Sequence, residues 1–413
     1  LTTAVAQTTS ETRRGTSWCL ALLVLGGCLL IWFLRRPGQL FHPYLWDEES
    51  LVIRSFLNDG WLGVLRPVQG YEILPAPLLL PLAASISFVH LSVVASWMAT
   101  AVFALTVWML VVPESRWGSQ PTRALMAFAM ALVPTNPETF GVLLYSFWWA
   151  TLWPLIILGW RRDHWLTRAP LLVVGALSSP AGAVMAIPFA LSWWFTRRRS
   201  DLLTAGLLAV GLVVQLSLVM VSERRGTVPF HLPSVMAQAE RSVGMFVVWW
   251  AAPAQLDWRI ESLLGLALLV GLAVAAVYAV RKQQRAEPLL LLVALLLYSG
   301  LCAVPVPLAT NPHNAGPRYY FLPFVLLSWL LIHLWRKPRL LPSPVPVIAG
   351  VVVATSMLGI VTTFSRSPES TTGRLDWRRE ILSCAASEAR LVKVPVYYDG
   401  SATDLWSMSM TSA

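Results

Sequence analysis

The sequence predicts an all-α polytopic membrane protein. Apolar stretches long enough to cross a bilayer recur from Trp18 to Thr363, at a length that a helix needs to span the hydrocarbon core. The composition agrees: 56% of residues are hydrophobic, 13% are charged, and the mean hydropathy is +0.62. Runs of period-two alternation are absent, so an outer-membrane barrel is not expected. The net charge is +10, yet the basic residues sit in short hops between apolar runs. That pattern is topology signal and contact with membrane lipid headgroups, and no nucleic-acid partner is expected. Cys19, Cys28, Cys302 and Cys384 have no metal-ligand spacing; the three in apolar spans read as packing residues.

Arg13 and Arg14 precede the first span, at about 18–34. No small-residue cleavage site follows, so an uncleaved helix with a cytoplasmic N-terminus is expected. The stretch from about 73 to 112 reads as one interfacial helix (73–89) and one span (91–112). Division into two spans would put Arg116 and Arg123 outside and reverse every later basic cluster. Two short crossings follow from this choice, at about 124–134 and 169–179, closed by VPTNPETFG (133–141) and LSSPAG (177–182). Eleven residues reach about half of a 30 Å core, so such segments survive only among neighbours that form a cavity. The remaining spans are expected at about 142–160, 181–196, 202–221, 262–280, 287–304, 319–335 and 342–363. That makes about eleven crossings. Residues 1–363 then form the transmembrane domain and 364–413 a short exterior segment. The long loops 35–72, 133–141, 222–261, 305–318 and 364–413 all gather on the exterior face.

That face holds the chemistry-bearing residues. HPYLWDEESL (42–51) places Asp47, Glu48 and Glu49 in an otherwise apolar, aromatic loop. Acids are favoured at a helix N-terminus by the dipole. A partly desolvated carboxylate also binds a proton more tightly and suits a general base. Arg35 and Arg36 at the outer end of the first helix, and Arg224 and Arg225 after the seventh span, run against the positive-inside trend. Arg318, in NPHNAGPRYYFLP (311–323), enters a span at the exterior edge beside His313, Asn314, Tyr319 and Tyr320. A guanidinium there can bind a lipid phosphate bidentately. His231 in PFHLP is a further exterior candidate for a hydrogen bond to sugar or phosphate.

A cytoplasmic N-terminus, an acidic doublet in the first exterior loop, and interfacial helices within that loop resemble the GT-C membrane glycosyltransferases. RPVQGYEILPAPLLL (66–80) is similar to the proline-bearing segment after their acidic motif. Glu138 in TNPETFG matches a second acid after a short span, and Arg318 a late exterior arginine. The resemblance implies a GT-C-like bundle in the bacterial cytoplasmic membrane. It implies sugar transfer from a polyprenyl-phosphate donor to a glycan or protein acceptor on the periplasmic face. By position in the motif, Asp47 would be the base. Glu48 or Glu138 would orient the acceptor or hold a divalent cation such as Mg or Mn; the family includes metal-assisted and metal-free members. Enzymes of this size resemble those that modify O-antigen, other surface polymers or pilin, a pilin arabinosyltransferase among them. No glycine fingerprint for a nucleotide sugar is present. A polysaccharide polymerase or ligase stays open as an alternative. So does a transporter or flippase, which predicts internal repeats and charge at mid-membrane.

Overall fold

The computed structural model describes residues 2–41, 43–67, 70–135, 137–161, 165–221, 232–248, 257–283, 286–302, 317–335, 350, 354, 377–386, 392–396 and 406–410. Helices dominate. In order they are α1 (Thr2–Arg35), α2 (Pro37–Phe41), α3 (Asp47–Asp59), α4 (Pro75–Ile86), α5 (Leu91–Val111), α6 (Gln120–Leu132), α7 (Ser146–Thr151) and α8 (Trp153–Gly159). Then come α9 (Trp165–Ala176), α10 (Pro180–Ala183), α11 (Ala186–Thr196), α12 (Arg199–Val221), α13 (Leu232–Val248), α14 (Trp258–Gln283), α15 (Glu287–Cys302), α16 (Phe321–Trp335) and α17 (Trp377–Ala385). A two-stranded antiparallel pair, β1 (Val392–Val396) and β2 (Trp406–Met410), aligns Val394 with Met408.

Among the described residues, five helices are long and apolar enough to cross a membrane: α1 from Trp18, α5, α12, α14 and α16 with its preceding turn. Their surroundings differ. Leu22, Leu23 and Leu30 on α1, Val210 and Val213 on α12, and Leu263 and Val274 on α14 are exposed. These exposed faces are apolar, as the lipid-facing side of a membrane helix would be. On α16, every residue from Phe321 to Leu334 is buried, packed against α6, α13 and α15.

The shorter elements follow their punctuation. α6 has Pro121 at its start and stops ahead of Pro134. Its 13 residues span about 20 Å. The expected span at 142–160 is interrupted at Leu152, two residues before Pro154. The one at 181–196 is broken at Val184 and Met185. Ser179 caps α10 by accepting from Gly182 N at 3.3 Å. A methyl at Gly182 would stand 1.9 Å from Gly175 O, so a glycine lets α10 meet α9.

Two expectations are corrected. The loop expected at 222–261 contains α13, a 17-residue helix. It packs so closely on α14 that a Cβ on Gly244 would lie 1.7 Å from Glu261 O, and one on Gly265 would lie 1.7 Å from Glu240 O. Cys19 is exposed instead of packed, whereas Cys28 is buried. The C-terminal segment includes the strand pair and α17, whose Trp377 Nε1 donates to Phe88 O at 2.9 Å. Almost all of the expected span 342–363 lies outside the described residues.

The bundle has two polar ends. At one, the loops after α5, α8 and α11 meet. Arg116 donates to Leu158 O at 2.7 Å and Ser192 Oγ at 2.8 Å, and Ser192 Oγ donates to Asp201 Oδ2 at 2.6 Å. Arg123 donates to Leu110 O and Pro113 O at the end of α5. These guanidiniums satisfy carbonyls that helix C-termini leave open. At the other end lies a cleft.

Candidate active site

The cleft is built from the first turn of α3, residues 71–73, the turn before α7, and the 3₁₀ turn Pro317–Tyr320 that leads into α16. Glu48, Tyr71, Ile73, Leu144, Tyr145, Phe147, Trp148, Arg318 and Tyr319 line it.

The triplet at 47–49 sits here because α3 begins on it. Trp46 is extended (φ −78°, ψ 151°), and Glu49 Oε2 accepts its backbone N–H at 2.8 Å. That contact is one half of a capping box. Successive helical residues are about 100° apart, so the three acids diverge. Asp47 occupies the first helical position, and its side chain lies outside the described residues. Glu48 is half-buried and lines the cleft. Glu49 turns inward, where its Oε1 accepts from Leu144 N at 3.0 Å. Burial pushes the Glu49 carboxyl up to about 7, against the hydrogen bonds from the Trp46, Leu144 and Leu143 amides. The expected substrate contact of Glu49 is therefore corrected: it anchors α3 to the residues ahead of α7.

Tyr145 links the two sides of the cleft. Its O–H donates to Glu48 Oε2 at 3.0 Å, and the Arg318 guanidinium lies 5.3 Å from its ring centroid. Arg318 Nη1 is 2.6 Å from Glu138 Oε2, and the same guanidinium is 5.4 Å from the Tyr319 ring. The Glu138 side chain is 2% exposed and that of Arg318 26%. Glu138 thus stands behind Arg318 and is withdrawn from the cleft. The Nε and Nη2 groups of Arg318 have no hydrogen-bond partner among the described residues. Trp148 sets its ring edge-on to Tyr319 at 6.0 Å, and its buried indole N–H has no partner among the described residues.

Other expected contacts fall elsewhere. Arg35 donates to Ala131 O at 3.0 Å, Val133 O at 2.7 Å and Thr135 O at 3.3 Å, and stacks over Phe140 at 4.2 Å. Arg36 donates to Phe140 O at 3.4 Å and to Tyr44 Oη. Both side chains are buried and close the end of α6 and the turn after it, which corrects their expected role as phosphate ligands. Tyr320 is fully buried and stacks on Phe324 at 6.0 Å, away from the cleft. Arg224, Arg225, His231, His313 and Asn314 lie outside the described residues. No group of three or more His, Cys, Asp or Glu with metal-binding geometry occurs among the described residues.

Tyr71 and Tyr145 are cleft residues that the sequence reading did not single out. The aromatic run YSFWWAT (145–151) directly after the TNPETFG turn is the signal that marks Tyr145. Glu72, between two cleft residues, turns away: its backbone pairs with the Gln215 amide at 3.0 Å in both directions. Burial pushes its carboxyl up to about 7, and Oε1 has no partner among the described residues.

The fold and site define a helical protein with membrane-length helices and an acid–arginine cleft at one end of the bundle. No protein-family model matches the chain, and no curated protein or solved structure matches it.

Proposed function

We propose that the chain is a GT-C-type glycosyltransferase of the bacterial cytoplasmic membrane, acting on the periplasmic face. The observation that supports this is the pairing, across one cleft, of a half-buried carboxylate with a guanidinium whose Nε and Nη2 are open to a ligand. In this reading about eleven segments cross the bilayer, with the short helix α6 largely buried and α9 packed along one face, through Arg168, Leu172, Gly175 and Ala176. The donor is a polyprenyl-phosphate sugar, whose lipid reaches the cleft from the membrane. The acceptor is a hydroxyl on a glycan or a protein such as pilin.

Glu48 takes the base role, because it is the described acid on the cleft wall. It removes the proton of the acceptor hydroxyl as that oxygen forms its bond to the sugar C1. The bond from C1 to the phosphate oxygen breaks, and the electron pair leaves on polyprenyl phosphate. Arg318 stabilises the charge gained by the leaving phosphate, through donors preset before the reaction. Glu138 holds the fork in place from behind. Tyr71, Trp148 and Tyr319 offer ring faces and edges to a sugar. The test is transfer in vitro from a synthetic polyprenyl-phosphate sugar by the purified chain, with Glu48→Gln and Asp47→Asn compared. Absence of transfer with every lipid-phosphate sugar, together with lipid translocation by the same preparation, would replace this reading by a flippase.

A further inference from the structure

We infer that Tyr145 is a positioning residue that aims the cleft's acid with its hydroxyl and seats the cleft's cation with its ring. Its kinetic and lipid-phosphate-binding consequences rest on the glycosyl-transfer reading; its consequence for the reactivity of Glu48 does not.

The side chain is fixed on several sides. Tyr145 is 3% exposed, and its ring lies 5.9 Å from Trp46 and 6.3 Å from Phe147. A buried phenol needs a hydrogen-bond partner. Tyr298 satisfies that need with a backbone carbonyl, Thr151 O at 3.0 Å. Tyr145 instead donates to a carboxylate that lines a cleft. Engaging Oε2 fixes the direction in which Glu48 presents its other oxygen. The helix that carries Glu48 is docked separately, through Glu49 on Leu144 N. Loss of the Tyr145 hydroxyl therefore removes a contact that directs the Glu48 carboxylate while α3 stays in place.

The ring serves the other partner. Arg318 lies between the Tyr145 face and the Glu138 carboxylate. The carboxylate supplies charge and the ring supplies a surface that resists rotation of the fork. Arg318 lies in the turn that leads into α16, so its backbone is held there while its side chain depends on these two contacts. One residue thus sets the spacing between acid and cation.

The experiment uses the full chain in lipid nanodiscs, with Tyr145→Phe and Tyr145→Leu (Tyr145→Met should leucine prevent folding). Binding of sugar-free polyprenyl monophosphate should be unchanged in Tyr145→Phe and about tenfold weaker in Tyr145→Leu. In transfer assays, Tyr145→Phe should lower kcat roughly ten- to hundredfold with donor KM unchanged. That loss should vanish in a Glu48→Gln background, because the hydroxyl acts through Glu48. Labelling of Glu48 by a water-soluble carbodiimide should be faster in Tyr145→Phe than in wild type. Wild-type kcat and wild-type labelling in Tyr145→Phe overturn the aiming role. Unchanged lipid-phosphate affinity in the ring-less variant overturns the seating role. A wild type that transfers no sugar and binds no polyprenyl phosphate overturns the functional reading, and the labelling outcome then still decides for or against the aiming role of Tyr145.

Discussion

Both ends of the bundle bury arginines, and the two ends use them differently. At the end that holds Arg116 and Arg123, guanidiniums meet backbone carbonyls and one serine hydroxyl that itself bonds Asp201. At the cleft end, Arg318 meets a carboxylate through one nitrogen and directs the rest toward open space. Arg35 and Arg36 belong to the cleft end in position but to the other kind in chemistry, because carbonyls of residues 131–140 accept their protons. An arginine's place along the bundle is thus a poor guide to its use. The acceptors of its N–H groups are a better one.

The largest expected effect breaks the comparison on its acidic side. Glu48→Gln should lower kcat by about 10²–10⁴, with thermal unfolding unchanged. Asp47→Asn should cost less. If Asp47→Asn abolishes transfer while Glu48→Gln leaves it near normal, the base sits one residue earlier.

On the basic side, Arg318→Lys should be nearly as damaging as Arg318→Ala, each roughly ten- to hundredfold in kcat/KM. An ammonium is a point charge and cannot reach Glu138 and a phosphate with the same planar fork. A lysine variant with full activity would mean that Arg318 only extends to lipid headgroups.

Arg35→Met tests the contrast directly. Three carbonyls lose a donor, so unfolding free energy should fall by about 3 kcal/mol or more. Donor KM should stay at its wild-type value in the protein that remains folded. A raised KM without loss of stability would return Arg35 to the phosphate site.

The smallest effect is a pH dependence. Glu72 holds its proton more tightly folded, at about 7, than at its ordinary 4.5. Stability should therefore fall as pH rises from about 5 to about 7, and level off above. Glu72→Gln should gain on the order of 2 kcal/mol over wild type at pH 8 and nothing at pH 4.5. Parallel melting profiles of the two proteins across that range would show that the carboxyl titrates normally.

Much of the helix placement was legible in sequence because prolines and apolar run lengths act locally. The ends of α5, α6, α9 and α12 fall within a few residues of their expected places. The difference between Glu48 and Glu49 was not legible. It depends on a 100° step along α3 and on an amide at Leu144, 95 residues away. Arg35 was misread for a related reason: the carbonyls that receive it carry no side-chain signature. Glu138 and Arg318 stood out as polar residues at apolar boundaries, but their pairing spans 180 residues. α13 was hidden because its contact with α14 rests on two glycines, which ordinarily count against a helix.

The anchoring of Glu49 has a consequence for the order of assembly. Its acceptors are filled by amides at Trp46 and Leu144, so α3 cannot settle when it emerges from the ribosome. It must wait until the chain has been threaded as far as α7. Glu138 and Tyr145 then wait again, for Arg318, which arrives more than 170 residues later. A nascent chain stopped short of residue 318 carries its acids without their cation. The cleft is completed late in synthesis, when the turn ahead of α16 takes its place.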